Sequence, residues 1–281
     1  MRADIVDHLR CPVCSAALVP APGALRCADG HTFDLARQGY VDLSAGRLTH
    51  PGDTAEMVAA RQELLGAGHF RVLTDALVVA LGDRPPGLVV DVGAGTGQHL
   101  AALLEARPGD LGVAVDVSKP ALRRAARAHP RLAAVRADAW RGLPLADGAA
   151  DAVLDVFAPR SGPEFHRILT PGGVLVVVTP APAHLGALVD TLDLVRVDPA
   201  KSQRLAASLE PWFVKDDERR YEWPLELSRA QARTAVAMGP SAWHTDADRL
   251  TAALGGLPEP VTVTAAVDVT RWTPRRQPRP A

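Results

Sequence analysis

The stretch LVVDVGAGTG, residues 88–97, joins a short apolar run to an acid and three alternating glycines. The helical pattern HLAALLEA follows it directly. Such a succession predicts a buried strand, a tight turn and a helix. In open parallel sheets a ligand lies beside this first turn, because glycines let the backbone approach it closely. The stretch therefore predicts a fold class and the place of a binding site.

The segments after this stretch continue the alternation of strands and helices. A helical segment, ALRRAARAH (121–129), stands between the first two of the later apolar runs. These runs are GVAVDVS (112–118), LAAVRADA (132–139), DAVLDVF (151–157) and GGVLVVVTP (172–180). The alternation predicts an α/β fold with a doubly wound, mostly parallel sheet.

Two further acids follow strands of this predicted sheet. Asp116 ends the second strand and is placed to accept hydrogen bonds from ribose hydroxyls, a role that fits either NAD or S-adenosylmethionine. Asp138 follows the third strand and can accept from an adenine amine. A dinucleotide fingerprint would have its last glycine where Gln98 stands. The ordered set resembles class I S-adenosylmethionine-dependent methyltransferases, and its members are Asp91, Gly93, Gly95, Gly97, Asp116 and Asp138. Each acid taken alone could also be an ordinary turn or helix cap.

Every cysteine in the chain lies in CPVCSAALVPAPGALRCADGH, residues 11–31. A two-residue gap within the first pair lets two thiolates turn onto one ion, and the second pair completes a tetrahedron, as in structural zinc sites. The expected ligands are Cys11, Cys14, Cys27 and His31. Metal binding would then supply folding free energy to a segment too small for its own core. Reduced, unligated cysteines are the alternative, and His8 or His50 could replace the histidine.

The composition of the 281 residues limits where in the cell the protein can be and which partners it can bind. The sequence shows no secretory signal and no apolar run long enough for a membrane span, so we expect a cytoplasmic protein without membrane contact. The formal net charge of −1 gives no global attraction to nucleic acid. Binding to RNA would therefore need a local basic surface, which arginine can supply because only three lysines are present.

A zinc segment ahead of a methyltransferase domain resembles the bacterial 23S rRNA guanine-N1 methyltransferases. The resemblance covers nearly the whole chain. Besides CPVC and DVGAGTG it is carried by CADGHTFDLARQGYVDL (27–43), PGDTAEMVAARQELLGAGHF (51–70), VDVSKPALRRAAR (115–127), FAPR (157–160), LTPGGVLVVVTPAPAHLGAL (169–188) and MGPSAWH (238–244).

The resemblance implies an S-adenosylmethionine-dependent enzyme with one structural zinc ion per chain. It adds Thr96, His184 and Phe70 to the cofactor site, although family members can have tyrosine at the last position. The same resemblance implies a 23S rRNA hairpin near the peptide exit tunnel as substrate and a homodimer as the assembly. A branch that confers macrolide (tylosin) resistance is favoured over its housekeeping sister branch. The rival hypotheses are a small-molecule methyltransferase with a zinc lid and a non-catalytic RNA-binding assembly factor.

Four regions are expected along the chain. These are a zinc-binding RNA-recognition module (1–45), a helical linker that contributes to the cofactor site (46–82), the methyltransferase domain (83–270) and a basic flexible tail (271–281). Asp155, near the end of the fourth strand, is the candidate base for the proton on guanine N1. Arg160 is either a phosphate or base contact or a surface charge, and Trp243 either stacks on a base or packs in the core. Candidate phosphate contacts in the zinc module are Arg10, Arg26 and Arg37.

Overall fold

A computed structural model describes residues 1–44, 46, 48, 52–192, 204, 206–237 and 247–276. The segment MGPSAWH with Trp243, the alternative ligand His50 and the last five residues of the basic tail lie outside the described residues.

The N-terminal module is a short helix followed by a small antiparallel sheet. Its elements are α1 (Ala3–Val6), β1 (Leu18–Ala21), β2 (Ala24–Cys27) and β3 (Thr32–Asp34), with sheet order β1-β2-β3. Ile5 and Val6 on α1 are fully buried together with Leu9, in a core that they share with the large sheet. The backbone also crosses between the two parts, because Arg10 N–H donates to the Pro144 carbonyl at 2.9 Å. The module is thus packed onto the larger domain.

The large sheet has eight strands. They are β4 (Val41–Asp42), β5 (Leu88–Val92), β6 (Leu111–Asp116), β7 (Leu132–Arg136), β8 (Ala150–Val156), β9 (Leu169–Pro180), β10 (Phe213–Leu227) and β11 (Val261–Pro274). Their order is β10-β11-β9-β8-β5-β6-β7-β4. The pairs from β9 to β4 are parallel, whereas β11 runs antiparallel to both of its neighbours. This topology confirms the α/β, class I methyltransferase fold. The antiparallel hairpin of β10 and β11 and the edge strand β4 were not predicted from the sequence.

Helices cover both faces of the sheet. They are α2 (Ala55–Gly66), α3 (Arg71–Leu81), α4 (Gln98–Ala106), α5 (Lys119–Ala125), α6 (Gly162–Ile168), α7 (Gly186–Leu192), α8 (Arg229–Ala237) and α9 (Ala247–Gly255). Thr54 begins α2 by accepting the Met57 N–H, and Ser118 begins α5 in the same way with Ala121. Side-chain oxygens at these positions satisfy backbone donors that the first turn leaves unpaired.

The two faces of the sheet bury separate cores, because neighbouring residues on a strand point to opposite sides. Val89 and Leu154 belong to the core under α3 and α4, whereas Val90 and Val153 belong to the core shared with the zinc module. Every residue of β5 is buried, as expected for a strand covered on both faces. Most buried residues of the N-terminal module therefore lie on the opposite face of the sheet from the linker, whereas Tyr40 belongs to the core under α3 and α4.

In the described part of the chain, no single helix is long and apolar enough to cross a membrane. The pair α2 and α3 meets that criterion only jointly, by length and composition, and it is bent by 81°.

The expectation of a flexible tail from residue 271 is wrong for residues 271–274. These residues complete β11 and pair with β10, and the first two also pair with β9, with Trp272 opposite Lys215 in β10 and Leu175 in β9. The Trp272 side chain is only 2% exposed, and its Nε1–H donates to Thr270 Oγ1 at 2.9 Å. Strand pairing from distant parts of the chain overrides the local basic and proline-rich composition.

Replacement of Trp272 by alanine should lower the free energy of unfolding by about 3–5 kcal/mol, because the change empties a large buried site. Urea denaturation followed by circular dichroism measures this loss. Trp140→Ala is the matched control, since that tryptophan is 57% exposed, and it should cost less than about 1 kcal/mol. Equal losses for the two variants would show that residues 271–274 do not anchor the sheet.

Candidate functional site

The glycine loop, residues 93–97, begins where β5 ends and is held against the neighbouring strands. Gly93 N–H donates to the Val115 carbonyl at 2.8 Å, and its φ of +74° is in the left-handed region. A Cβ atom on Gly93 would lie 2.5 Å from the Cβ of Ala158, in the turn after β8. Glycine is therefore required at this position both by backbone conformation and by space.

Asp116 joins the glycine loop to the start of α5. Its Oδ2 accepts the Gly95 N–H at 2.8 Å, and its Oδ1 accepts the Ser118 N–H at 2.7 Å. Burial raises the pKa of this carboxyl, and the two backbone N–H donors oppose that shift. An ionised carboxylate has about four acceptor sites. It can therefore hold the loop and still accept ribose hydroxyls, which suits the predicted cofactor role.

Arg61 and Asp53 were missed by the sequence analysis and lie over the glycine loop. Their side chains form an ion pair, and Arg61 would be in contact with a Cβ on Gly95. The Asp53 carbonyl also accepts from Ser118 Oγ at 2.8 Å. The linker thus reaches the predicted cofactor site with a cation and a carboxylate. In the sequence, Thr54 is a typical helix N-cap and could have indicated a helix that carries Arg61. It gives no indication that this helix contacts the glycine loop.

Asp91, near the end of β5, and Thr96, within the loop, are both buried. Burial, and then the negative charge of Asp116, raises the pKa of Asp91 to about 7. In the described part of the chain Asp91 Oδ1 has no hydrogen-bond partner. Thr96 Oγ1 lies 3.3 Å from Gln98 Oε1 and donates to it.

Asp138 is buried after β7 and begins a short 3₁₀ helix, Ala139–Arg141. Its Oδ1 accepts the Trp140 N–H at 3.0 Å. The helix-cap alternative is therefore present in the structure. A contact with adenine would be an additional one, at the same carboxyl edge of the sheet as Asp116.

Phe70 and His184, the two cofactor residues implied by resemblance, have different surroundings. Phe70 is buried in the core under α3, edge-on to Trp223 at a ring-centroid distance of 5.9 Å. His184 follows β9 and is partly buried, with Nδ1 accepting the Ala266 N–H at 3.2 Å. Burial lowers the His184 pKa, so the ring is neutral with its proton on Nε2. Of these two residues, His184 is partly exposed in a turn, whereas Phe70 is enclosed in the core.

Asp155, the candidate base, is fully enclosed. Its Oδ1 lies 3.1 Å from Arg160 Nη2, but no hydrogen bond of good geometry reaches either carboxylate oxygen within the described residues. Burial raises the Asp155 pKa to about 8, against the opposing effects of Arg160 and the Ala158 N–H. A carboxyl with that pKa is mostly protonated at neutral pH. The structure therefore does not present Asp155 as an accessible proton acceptor.

Arg160 is buried as the counterpart of Asp155, so the expected surface charge or phosphate contact is wrong for this residue. The candidate RNA arginines of the zinc module differ among themselves. Arg26 and Arg37 are exposed, whereas Arg10 Nη1 donates to the carbonyls of Asp7 and Leu9 after α1. The module thus offers two arginines to an external phosphate, and Arg10 stabilises the end of a helix.

The three cysteines and His31 form one compact cluster. Their ligand atoms all lie within 4.8 Å of one another. Cys14 Sγ and Cys27 Sγ are 3.6 Å apart, and His31 Nδ1 is 3.3 Å from Cys27 Sγ and 3.7 Å from Cys11 Sγ. Tetrahedral zinc with the usual bond lengths would separate such ligands by about 3.5–3.8 Å. The cluster therefore fits zinc, with all four coordination positions filled by the protein.

Both the N-terminal module and the large domain match known protein families. The zinc-ribbon family described as "RlmA, N-terminal" matches residues 9–44, and a methyltransferase domain family matches residues 89–173. The chain is 54% identical to a provisionally named 23S rRNA (guanine-N1)-methyltransferase of Micromonospora griseorubida, over 98% of this chain and 100% of the relative. It is 49% identical to the 23S rRNA (guanine(748)-N(1))-methyltransferase of Streptomyces fradiae, over 98% and 99% of the two chains.

Solved structures resemble the chain at the level of the fold. The YcgJ protein from Bacillus subtilis superposes with a TM-score of 0.53 at 16% identity, covering 73% of this chain and 98% of that one. Phosphoethanolamine N-methyltransferase 2 of Haemonchus contortus, in complex with S-adenosyl-L-methionine, gives 0.51 at 14% identity, with coverages of 79% and 58%.

Replacement of Gly93 by alanine should weaken cofactor binding at least about tenfold, because the new methyl group displaces the turn after β8. Isothermal titration calorimetry with S-adenosylmethionine measures the change. Gly23→Ala is the matched control, because its φ is +68° but nothing lies within 4 Å of the added Cβ. It should show similar backbone strain and unchanged affinity. Unchanged affinity in Gly93→Ala as well would remove the loop from the binding site.

Proposed function

Because this chain belongs to the family of 23S rRNA (guanine-N1)-methyltransferases, we propose that it methylates N1 of a guanine in a hairpin loop of 23S rRNA near the peptide exit tunnel. The supporting observation is the combination in one chain of a Cys₃His cluster and a glycine loop at the carboxyl edge of a class I sheet. Relatives with this activity in their names match the chain from end to end.

The finer identity of the target follows from the Streptomyces fradiae relative, whose name specifies guanine 748. We infer that this chain modifies the corresponding guanine. Methylation there would place the chain in the branch that confers macrolide resistance, with tylosin as the representative drug. Modification of a neighbouring guanine would instead assign it to the housekeeping sister branch.

S-adenosylmethionine, when bound, supplies a methyl group already activated on a sulfonium. The chain's own contribution is to hold donor and acceptor in line, which can lower the barrier by several kcal/mol. Gly93, Gly95 and Gly97 allow close approach of the backbone, and Asp116 accepts from the ribose. The remaining proposed contacts to this ligand come from Phe70, Asp91, Thr96, Asp138 and His184.

Arg61 extends this proposed cofactor site. Its guanidinium lies beside Gly95 and pairs with Asp53. Burial raises the pKa of Asp116 and lowers that of His99, and the positive charge of Arg61 opposes the first shift and adds to the second. A cation at that position would attract the carboxylate of the cofactor's methionine part. The ion pair with Asp53 would orient the guanidinium before the ligand arrives.

The target atom imposes two requirements on the RNA. Guanine N1 lies on the base-pairing edge, so the base must be unpaired or turned out of its stack. N1 also carries a proton, which would pass to solvent water as the N1–methyl bond forms and the sulfur–methyl bond breaks, leaving the demethylated cofactor. A hairpin loop lowers the energy needed to expose the base.

The zinc ribbon is proposed to grip the RNA. Zinc held by Cys11, Cys14, Cys27 and His31 would be structural, because the four protein ligands leave no open position for a catalytic water. Arg26 and Arg37 are exposed on this module and can contact phosphates without reading the sequence. A homodimer whose paired modules form one RNA cleft would double this surface.

Primer extension on 23S rRNA tests the function. Methylation at N1 blocks base pairing, so reverse transcriptase should stop next to the modified guanine in RNA treated with the protein and S-adenosylmethionine. RNA treated with Gly93→Ala should show a much weaker stop. A stop at the guanine corresponding to 748, with increased tylosin tolerance in cells, is the expected result. Cofactor turnover with no stop anywhere in 23S rRNA would favour a small-molecule substrate and overturn the proposal.

Asp155→Asn tests the candidate base. Since the enclosed carboxyl is mostly protonated at neutral pH, the neutral amide should keep the rate of methyl transfer within about threefold of wild type. A loss of more than about 100-fold, with cofactor and RNA still bound, would restore Asp155 as the base.

The same variant has an expected pH dependence. The folded pKa of Asp155 is about 8, above the unfolded value of about 4, so wild type loses stability as pH rises between these values. The amide does not titrate. Between pH 5 and pH 8 the variant should therefore gain about 3–4 kcal/mol in free energy of unfolding relative to wild type, as measured by urea denaturation.

A further inference from the structure

The turn after β8, residues 157–160, faces the glycine loop at the point where the sheet reverses its strand order. From β5 the order continues through β6 and β7 on one side and through β8 and β9 on the other. Ligands of such sheets bind in the crevice at this reversal. The close approach between Gly93 and Ala158 shows that the turn lies directly against the loop. Ala158 therefore faces the cofactor loop, and Phe157 is its neighbour in the chain.

Phe157 presents an exposed aromatic ring on this turn. It is 46% exposed, although phenylalanine is normally buried in cores. Its φ of +54° is a conformation that a bulky side chain rarely adopts and that glycine would adopt without strain. Core packing does not explain why a phenylalanine stands here, because nearly half of its surface is exposed to solvent. Backbone preference does not explain it either.

The surroundings of Phe157 fix the direction of the ring. Its N–H donates to the Val178 carbonyl at 3.2 Å, which ties the residue to the end of β9. At the other end of the turn, Arg160 Nη2 donates to the same Val178 carbonyl at 3.5 Å and lies 3.1 Å from Asp155 Oδ1. The turn is therefore tied to β9 at both ends, which holds the backbone that carries the ring.

A second ring stands beside it. The rings of Phe157 and His184 have centroids 5.9 Å apart and an interplanar angle of 42°. The backbone bond from Ala266 to His184 Nδ1 fixes the imidazole. Leu185, directly after it, also has a left-handed φ, of +53°. Of the three non-glycine residues with positive φ in the described part of the chain, one belongs to this ring pair and another directly follows its histidine. Strain of this kind concentrates at functional sites.

On this basis, and resting on the proposed function, we propose that the target guanine stacks on the ring of Phe157, which His184 supports from the side. A purine turned out of an RNA loop loses its stacking partners, and an exposed aromatic face replaces them without reading the sequence. The position across the crevice from Gly93 directs the stacked base toward the cofactor loop. Phe157 is then a substrate-binding residue whose ring, and not its backbone, is needed.

Phe157→Gly separates the ring from the fold. Glycine relieves the left-handed backbone, so the melting temperature should stay equal or rise. Loss of one stacked base should lower kcat/KM for the RNA hairpin between about 5-fold and 100-fold. Binding of S-adenosylmethionine, measured by calorimetry, should change less than about twofold. Phe157→Tyr keeps the ring and should retain most activity, whereas Phe157→Leu should resemble the glycine variant.

A direct readout uses a hairpin with 2-aminopurine at the target position. Its fluorescence should be quenched by wild type and by Phe157→Tyr, but much less by Phe157→Gly at saturating protein. Val214→Ala is the matched control, because that apolar residue is 44% exposed on β10, and it should behave like wild type.

Two outcomes would overturn the inference. One is an unchanged kcat/KM and unchanged quenching in Phe157→Gly, and the other is a loss of cofactor affinity with RNA binding intact. Either result would leave the proposed function standing, because wild type would still methylate the hairpin. Absence of methylation by wild type would instead refute the proposed function itself.

Discussion

The close approach of the glycine loop to the turn after β8 is the constraint on which the rest of the site depends. At Gly93 there is no room for even one methyl group, because Ala158 lies opposite. This contact joins the carboxyl ends of two adjacent parallel strands, β5 and β8, where the strand order reverses. The contact places the glycine loop, which is proposed to bind the methyl donor, close to the ring of Phe157, which is proposed to bind the guanine. Transfer between them needs this proximity.

Buried carboxyls lie directly below this contact. Asp91 and Asp155 lie on adjacent strands at the same edge of the sheet, and burial raises the pKa of both. The negative charge of Asp91 adds to the shift at Asp155, and Arg160 opposes it. Burying charge costs stability, so such groups are kept where they fix a conformation or perform chemistry. Here the contact between Asp155 and Arg160 spans the turn that carries Phe157, which gives the pair a structural role.

The zinc ribbon and the sheet form one structural unit. Strand β4, directly after the ribbon, pairs parallel to β7 at the sheet edge, and Arg136 Nη1 donates to Asp42 at 2.7 Å across that pair. Cys11 and Cys27 are themselves buried in the core that the ribbon shares with the sheet. A module anchored in this way holds any RNA it grips at a fixed distance from the glycine loop. The proposed RNA-binding surface and the proposed cofactor site are therefore connected by packing rather than by a free linker.

The sequence by itself determined the class I sheet, the glycine loop and the four-ligand cluster, because apolar periodicity and ligand spacing are local patterns. Only the tertiary structure decided that Arg160 is buried, that Phe70 packs against Trp223, and that Trp272 belongs to a central strand. These outcomes depend on partners far away in the chain. The exposure of Phe157 belongs to the same class, since the letters FAPR carry no sign of backbone handedness or of the neighbouring imidazole. The local sequence pattern determines where helices and strands form, whereas burial and long-range pairing determine the surroundings of each side chain.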